Sequence, residues 1–178
     1  MQVDIVEVEV ASPDSVSKLR TALTTVFDKP LDQLPENYGH AVPWGLLRLL
    51  DEGMLDCYYL VYVDQEFWSG SGGIVRDYEG KKVYQAGFRA FSKTRGVSHG
   101  LGSNSYTHEY STMRQIYRAK ALGCHSVILS FNEHNRRLYD LTRRYHIPKV
   151  FGHEHKFTAS SKLQLFNGVM QWLLVMYL

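Results

Sequence analysis

Residues 83–102 read VYQAGFRAFSKTRGVSHGLG, a strand pattern that runs directly into a glycine-rich segment. The strand is predicted from Val83 to Phe91, and apolar residues recur at helical spacing after Gly102. A helix N-terminus carries unpaired amide N–H groups and the positive end of a dipole, so it attracts anions. Glycine lets the backbone approach a phosphate, and Arg95 can add a charge-assisted contact. The stretch predicts a phosphate-binding strand, loop and helix; a plain connecting loop is the alternative.

Charge and motif patterns exclude several classes of protein. No Gly-x-x-x-x-Gly-Lys-Ser/Thr pattern is present, so a P-loop NTPase is not expected. The glycine-rich run also lacks the early position and the repeated βαβ context of a dinucleotide-binding fingerprint. The formal net charge is +2 and the basic residues are dispersed, which argues against nucleic acid as the main partner. The densest basic cluster, Arg136, Arg137, Arg143 and Arg144, has helical spacing and predicts a solvated helix face.

The predicted elements follow the order of a mixed α/β sheet in one domain, residues 1–178. This length suits a single domain with a substantial core, and no repeat or linker divides the chain. Gly70, Gly72 and Gly73 indicate a bulge or a close backbone approach inside one strand. The predicted strands cover 2–10, 56–63, 67–75, 83–91, 126–131, 149–157 and 163–178, and the predicted helices cover 13–27, 44–50, 102–123 and 135–145.

The cysteines, the histidines and the apolar runs indicate the cellular location of the protein and whether it binds a metal. Cys57 and Cys124 match no CxxC or zinc spacing, and their apolar neighbours predict buried, reduced thiols. His153 and His155 lie on one strand face, but no third ligand is marked, so we expect no metal. The N-terminus lacks a signal-peptide pattern, and the apolar run 169–178 is too short to span a bilayer. The sequence therefore predicts a cytoplasmic protein without a membrane partner.

A second strand and helix follow the glycine-rich run. Residues 126–139 read SVILSFNEHNRRLY, a short apolar strand ending in Asn132 and a helix that carries Tyr139. Here the chain resembles the GNAT superfamily of acyl-CoA-dependent N-acyltransferases, which pairs a strand–phosphate loop–helix with a strand–helix bearing Asn and Tyr at this spacing. The order of elements agrees along nearly the whole chain. The resemblance implies an α/β (α+β) fold, a mixed, largely antiparallel twisted sheet of six to seven strands flanked by about four helices.

The resemblance also implies an enzyme, an N-acetyltransferase or other acyltransferase that moves a short acyl group from acyl-CoA to a primary amine. The amine would attack the thioester directly, and Tyr139 would be the acid that protonates the leaving thiolate. The fourth strand would part from the fifth near its end to admit the pantetheine arm. Asn132 would contact that arm or cap the following helix. The residues implied for binding acetyl-CoA, or another acyl-CoA, are Phe91, Ser92, Arg95, Gly96, Val97, Ser98, His99, Gly100, Leu101, Gly102, Ser103, Asn132 and Asn135.

Several points stay open from the residues alone. The loop can be aligned with the family's phosphate pattern in two registers, one on Gly96 and one on Gly100 and Gly102, and it departs from that pattern in both. The acceptor is a small-molecule or peptide amine, and the resemblance is compatible with a homodimer. One alternative is a catalytically silent domain that binds acyl-CoA as a sensor or partner-binding module; another is an interaction domain without a ligand. No spacing identifies the general base, for which the candidates by position are Tyr84, His108, Glu109 and Glu133.

Overall fold

The protein's structure, a computed structural model, describes residues 2–9, 13–27, 49, 52–91, 100–148 and 156–178, with the backbone alone for residues 9, 22–27, 89–91, 100–110 and 146. The described helices are α1 (Pro13–Phe27), α2 (Gly100–Ala121) and α3 (Arg136–Leu141). The described strands are β1 (Val3–Glu9), β2 (Cys57–Val63), β3 (Glu66–Tyr78), β4 (Lys81–Phe91), β5 (Ser126–Asn132), β6 (Phe157–Ala159), β7 (Gln164–Phe166) and β8 (Val169–Tyr177).

The eight described strands form one sheet in the order β1-β2-β3-β4-β5-β8-β6, and β7 pairs with β8 outside that path. Strand β5 runs parallel to β4, whereas the pairs β1–β2, β2–β3, β5–β8, β6–β8 and β7–β8 are antiparallel. The predicted mixed, largely antiparallel sheet is therefore confirmed. The predicted number of six to seven strands is too low. Asn167 and Gly168 adopt φ angles of 54° and 76°, and this tight turn divides the last predicted strand into the hairpin of β7 and β8.

Two further hairpin turns lie between strands that the sequence predicts. Asp64 and Gln65 adopt φ angles of 49° and 68° between β2 and β3. Glu79 and Gly80 adopt 51° and 74° between β3 and β4. Two-residue turns with positive φ match the right-handed twist of the strands that they join, so they hold β2, β3 and β4 as a meander.

The described chain divides into two compact units, and the first comprises Met1–Ile74 and Phe88–Ser111. Its centre is Tyr58, which is fully buried. A Cβ atom at Gly70 or at Gly72 would lie 2.5 Å from a carbon of the Tyr58 ring. These two glycines therefore provide the predicted close approach, because only a residue without a side chain leaves room for the ring. The irregularity in the β2–β3 pairing lies elsewhere, between Val61 and Tyr62.

The second unit comprises Val75–Gly87 and Thr112–Leu178. On one side of β4, β5 and β8, side chains such as Val127 and Leu174 form a buried cluster with Ile116 of α2 and Tyr139 of α3. We call this side the helix face. The alternate residues of the same strands, including Val83, Ile128 and Leu173, pack with Phe166 of β7 on what we call the hairpin face.

One predicted helix is interrupted. The predicted helix 135–145 lies in a segment that forms a 3-10 turn at Glu133–Asn135, then α3, and then a π-helical turn at Thr142–His146. Ile147 and Pro148 remain helical after this turn. Other predictions lie outside the described residues: the helix 44–50 apart from Leu49, and residues 149–155 with His153 and His155. Cys57 and Cys124 form no disulfide and are buried, as predicted.

Candidate functional site

Strands β4 and β5 are paired over a short ladder only. The paired residues run from Val83–Ser126 to Ala86–Leu129. At this point β4 changes conformation, because Gly87 adopts a φ of 138° and Phe88 a φ of 48°. Strand β4 continues to Phe91 and β5 to Asn132, and the last residues of β5 stay paired with β8. The β4–β5 ladder ends at Leu129, so the backbone groups of Ser130 to Asn132 that point toward β4 pair with no described residue of β4.

The bend in β4 is held by a hydrogen bond from β2. Phe88 lies in the left-handed region, which costs a residue with a Cβ about 1 kcal/mol. The Tyr58 hydroxyl donates to the Phe88 carbonyl at 2.8 Å. Because Tyr58 is fully buried against Gly70 and Gly72, its hydroxyl is a fixed anchor for this carbonyl.

Helix α2 begins at Gly100, so Gly100, Leu101, Gly102 and Ser103 form its first turn. The amides of a first helical turn have no acceptor within the helix, and the helix dipole adds positive potential there. No acidic residue lies in this turn, whereas Arg118 and Lys120 lie in the last turn. The helix therefore carries the charge pattern that favours an anion at its start. The preceding loop residues Ser92, Arg95, Gly96, Val97, Ser98 and His99 lie outside the described residues.

Asn132 and Asn135 are brought together at the end of β5. Asn132 precedes the turn Glu133–Asn135, Asn135 precedes α3, and both residues are half-buried. Neither side chain makes a capping hydrogen bond to the turn that follows it. The alternative in which Asn132 caps the following helix is therefore wrong. Its contact with a pantetheine arm stays a prediction.

Tyr139 is buried, with 1% of its surface exposed. Its ring stacks on Trp172 with centroids 5.4 Å apart, and it meets Phe131 edge-on at 5.7 Å. Its hydroxyl donates a hydrogen bond of 2.6 Å to the backbone carbonyl of Ser160. The proton that an acid would deliver therefore already has an acceptor in this structure. The role of Tyr139 as the acid stays a prediction.

Ser160 is a residue that the sequence reasoning missed. Its amide donates to the Leu173 carbonyl, its Oγ accepts from the Leu173 amide, and its own carbonyl accepts from Tyr139, so it ties α3 to β8. The Ser160–Ser161 pair has no periodic or motif signal, because its role depends on an antiparallel pairing of distant segments. No local pattern could have identified it.

The predicted solvated helix face around Arg136 is only partly solvated. The Arg136 guanidinium lies 4.2 Å from the centroid of the Trp172 ring, and its Nε lies 3.2 Å from Oδ2 of Asp140. Arg143 lies over the Tyr139 ring at 5.8 Å and 3.5 Å from Oδ1 of Asp140. Arg137 and Arg144 are exposed, as expected.

The candidate general bases differ in their surroundings. Tyr84 is fully buried among the helix-face residues. Glu133 is exposed and lies 3.3 Å from the His134 ring. The side chains of His108 and Glu109 are outside what the structure describes. Among the described residues, no three His, Cys, Asp or Glu side chains lie close enough together to hold a metal ion. None of the described helices is both long and apolar enough to cross a bilayer.

The fold is shared with known acyltransferases, although no sequence relative matches. No protein-family model matches this sequence, and neither does any curated protein. The NatC complex bound to Gag peptide and CoA matches with a TM-score of 0.56 at 11% identity, over 100% of this chain and 99% of that chain. FeeM, an N-acyl amino acid synthase from uncultured soil microbes, matches with a TM-score of 0.55 at 12% identity, over 99% of this chain and 92% of its own.

A probable acetyltransferase of the GNAT family from Chromobacterium violaceum ATCC 12472 also matches, with a TM-score of 0.55 at 15% identity, over 100% of this chain and 83% of that chain. These likenesses extend along almost the whole chain. The chain therefore has the GNAT fold, as the sequence predicts.

Proposed function

We propose that this protein transfers an acetyl or other short acyl group from acyl-CoA to a primary amine. The fold supports acyl-CoA-dependent N-acyl transfer in general. The observation that carries the proposal is the early end of the β4–β5 ladder at Ala86–Leu129. An extended pantetheine arm needs unpaired backbone groups of a strand as hydrogen-bond partners, and Ser130 to Asn132 offer them on their β4 side.

The start of α2 is a separate feature that also favours acyl-CoA as the ligand. The pyrophosphate of acyl-CoA would lie at the amides of Gly100 to Ser103, where the helix dipole and the lack of acidic residues favour negative charge. The loop residues Arg95 to His99 would complete the contact.

In the proposed reaction, the amine nitrogen attacks the thioester carbon and the carbon–sulfur bond breaks. A backbone N–H of β5 would donate to the carbonyl oxygen as negative charge develops there. The leaving thiolate would take the Tyr139 proton, and the amine would lose its proton to water or to a carboxylate. Since the phenol donates to Ser160 in this structure, the reaction requires it to exchange that acceptor for the thiolate.

The hydrogen bond from Tyr139 to Ser160 favours a second candidate function. A phenol that is buried and already bonded to a carbonyl needs no catalytic role to explain it. The chain would then bind acyl-CoA without turnover, as a sensor or partner-binding module. Release of free thiol with a panel of primary amines separates the two candidates, because only the enzyme consumes the thioester.

Binding of the donor tests both candidates together. Acetyl-CoA titrated into the isotope-labelled protein should shift the amide resonances of Gly100 to Ser103 and of Ser130 to Asn132, with saturation below about 1 mM. Adenosine, which lacks both the pyrophosphate and the pantetheine arm, serves as the control ligand. If no saturable shift occurs up to about 1 mM acetyl-CoA, the proposal that the protein binds acyl-CoA is wrong.

A matched pair of variants tests the anion site. Ser103→Asp places a carboxylate in the first turn of α2 and should weaken binding of acetyl-CoA about tenfold, because it opposes the helix dipole and repels the pyrophosphate. Ser103→Asn has a similar shape without the charge and should bind nearly as well as the wild type. Equal affinities for the two variants would contradict the proposed position of the pyrophosphate.

The acceptor and the surroundings of the protein are also part of the proposal. The NatC structure contains a peptide, and FeeM is named as a synthase of N-acyl amino acids. We therefore propose an amine of the peptide or amino-acid class as the acceptor. The buried, reduced thiols of Cys57 and Cys124 suit a cytoplasmic location.

A further inference from the structure

Arg76 of β3 is held on the hairpin face by three other side chains. Its guanidinium lies 4.9 Å from the centroid of the Phe166 ring, which is buried on that face. Its Nη1 donates to the side-chain oxygen of Gln85 at 3.1 Å and to that of Asn167. Asn167 in turn donates to the Gln85 oxygen at 3.3 Å, which closes the network. The half-buried guanidinium is therefore held in place by contacts within the protein.

The groups that hold Arg76 do not compensate its charge. Its Nε donates to the backbone carbonyl of Asp77, and its Nη1 donates to two side-chain amides, so all these acceptors are neutral. None of the ion pairs in the described part of the chain includes Arg76, whereas Arg136 and Arg143 both pair with Asp140. An arginine that is held by amides keeps its positive charge for another anion.

Two acidic residues, Asp77 and Glu79, lie close to Arg76 in the sequence. The Asp77 carboxylate accepts a hydrogen bond of 3.2 Å from the Gly80 amide at the turn between β3 and β4. Glu79 lies in the same turn, and both acidic residues are exposed. Water and salt screen exposed charges over about 8–10 Å. Asp77 and Glu79 therefore lower the positive potential at the guanidinium without cancelling it.

The two faces of the sheet differ at the end of β5. On the helix face, Phe131 and Trp172 are buried and pack against the ring of Tyr139. On the hairpin face, the residues of β5 at this level are Ser130 and Asn132, which are polar and half-buried. An amine that attacks a thioester held beside β5 would therefore approach over Ser130 and Asn132. This is the face that carries Arg76.

The Arg76 network lies close to the point where β4 and β5 separate. Gln85, which bonds to Arg76, is paired with Ile128, one step before the ladder stops at Ala86–Leu129. Ser130 is the next residue of β5 on the same face, and two residues of a strand span about 7 Å. A ligand whose carboxylate binds the guanidinium would thus place an amine a few bonds away beside Ser130.

The donor geometry of Arg76 favours a carboxylate as the ligand. The described hydrogen bonds of Arg76 use Nε and Nη1, so a ligand would bind through Nη2. This nitrogen carries two N–H groups, which together with the single charge suit one carboxylate. A phosphate monoester carries nearly two negative charges at neutral pH, whereas the network contains one cation.

We propose that Arg76 binds a carboxylate of the acceptor, so that the acceptor is a small amine with a free carboxylate, such as a free amino acid. Gln85 and Asn167 are positioning residues that hold the guanidinium. A lysine side chain inside a protein lacks this carboxylate and should be a poor acceptor. This inference rests on the proposed acyl transfer, and its tests are chosen so that the two can fail separately.

Amino acids and their carboxamides are matched acceptors for the first test. With acetyl-CoA as the donor, the best amino acid of a panel should be acetylated with a kcat/KM about tenfold above that of its amide. Arg76→Gln should lower kcat/KM for the amino acid about tenfold, mainly through KM, and leave the value for the amide unchanged. If the wild type acetylates both equally, or if Arg76→Gln impairs both alike, Arg76 only packs the hairpin and the assignment fails.

A second variant leaves Arg76 in place and neutralises its charge. Asn167→Asp keeps the hairpin turn, because Asp-Gly fits it as Asn-Gly does, and the new carboxylate pairs with the guanidinium. It should lower kcat/KM for the amino acid about tenfold and spare the amide. Gln164→Glu adds the same charge to β7 without a described contact to Arg76, and it should change neither value. If Asn167→Asp acetylates the amino acid as the wild type does, the charge of Arg76 has no role.

Binding without turnover separates this inference from the proposed function. In isotope-labelled protein, with and without saturating CoA, the amino acids should produce saturable shifts of the Gln85 and Asn167 side-chain amide resonances, and their carboxamides should not. If acetyl-CoA does not bind, the proposed function fails, but such shifts would still identify a carboxylate site at Arg76. If acetyl-CoA binds and no amino acid produces a saturable shift up to about 50 mM, the carboxylate site alone is wrong.

Discussion

Tyr58 and Tyr139 are both buried tyrosines whose hydroxyls donate to backbone carbonyls, yet their surroundings differ. Tyr58 donates to Phe88 at 2.8 Å, and its ring lies against the backbone of Gly70 and Gly72. Tyr139 donates to Ser160 at 2.6 Å, and its ring lies against the side chains of Trp172 and Phe131. The backbone of a strand cannot move without breaking the hydrogen bonds that pair it with its neighbours, whereas side chains can change rotamer.

A buried phenol can therefore be a fixed anchor, or it can exchange its hydrogen-bond acceptor, depending on what surrounds its ring. Tyr58 holds the bend at which β4 leaves its ladder with β5. Tyr139 has the surroundings that a proton donor requires if it is to release Ser160. Four predictions test this difference.

The largest effect is expected at the glycines under Tyr58. Gly72→Ala places a Cβ 2.6 Å from the Cys57 carbonyl oxygen and 2.5 Å from the Tyr58 ring, so it should lower the free energy of unfolding by about 3 kcal/mol. Chemical denaturation measures the change. Gly70→Ala meets only the Tyr58 ring, so its cost should nearly vanish in a Tyr58→Ala background, whereas that of Gly72→Ala should persist. If Gly72→Ala is as stable as the wild type, the strand backbone around the Tyr58 ring is not rigid.

The two phenols should differ in their effect on turnover. Tyr139→Phe should reduce acyl transfer about a hundredfold without changing the affinity for acetyl-CoA, because it removes the proposed acid. Tyr58→Phe loses the hydrogen bond that holds the bend in β4, so it should weaken the affinity for acetyl-CoA while keeping turnover at saturating acetyl-CoA within about threefold. Each variant should lose about 1 kcal/mol of unfolding free energy, which makes them matched in stability. Full turnover by Tyr139→Phe would exclude it as the acid.

A smaller effect is expected from Cys57, the neighbour of Tyr58. Burial, and secondarily the charge of Glu7, raise the pKa of its thiol to about 12. The unfolded chain loses this proton near pH 9 and the folded chain keeps it, so stability should fall as the pH rises above about 9. By pH 10 the loss should be about 1 kcal/mol, and Cys57→Ala should abolish it. Denaturation curves at pH 8, 9 and 10 measure it; an unchanged slope in Cys57→Ala would contradict the assignment.

The smallest effect concerns the side chains around Tyr139. Arg136→Gln removes the cation over Trp172 and the ion pair with Asp140, and should cost about 1 kcal/mol of unfolding free energy. Arg137→Gln, on the exposed side of the same helix, is the control and should be neutral. If the two variants have the same denaturation midpoint, the Trp172 contact contributes nothing to the packing of Tyr139.

Local patterns were sufficient for most elements. The Tyr- and Val-rich run 57–63 and the turn residues at Asp64 and Glu79 predict the meander, because strand propensity and turn chemistry act between near neighbours. The segment 126–139 predicts that Asn132 ends β5 and that Tyr139 lies in the helix after it. The separate β7 strand was missed although its signal is local: Asn-Gly is the most favoured pair for a two-residue hairpin turn, and Asn167 and Gly168 both adopt a positive φ.

The sequence alone determined the order of the elements and the anion-favouring start of α2, because periodicity, glycine positions and charge spacing are properties of neighbouring residues. The GNAT fold was predicted from the resemblance to that superfamily. Only the tertiary structure decided where the β4–β5 ladder stops, that the Tyr139 hydroxyl meets Ser160, and that Arg76 meets Asn167. These features join segments that are far apart in the chain. Which distant groups meet depends on how the strands pair and pack, and no local preference encodes that.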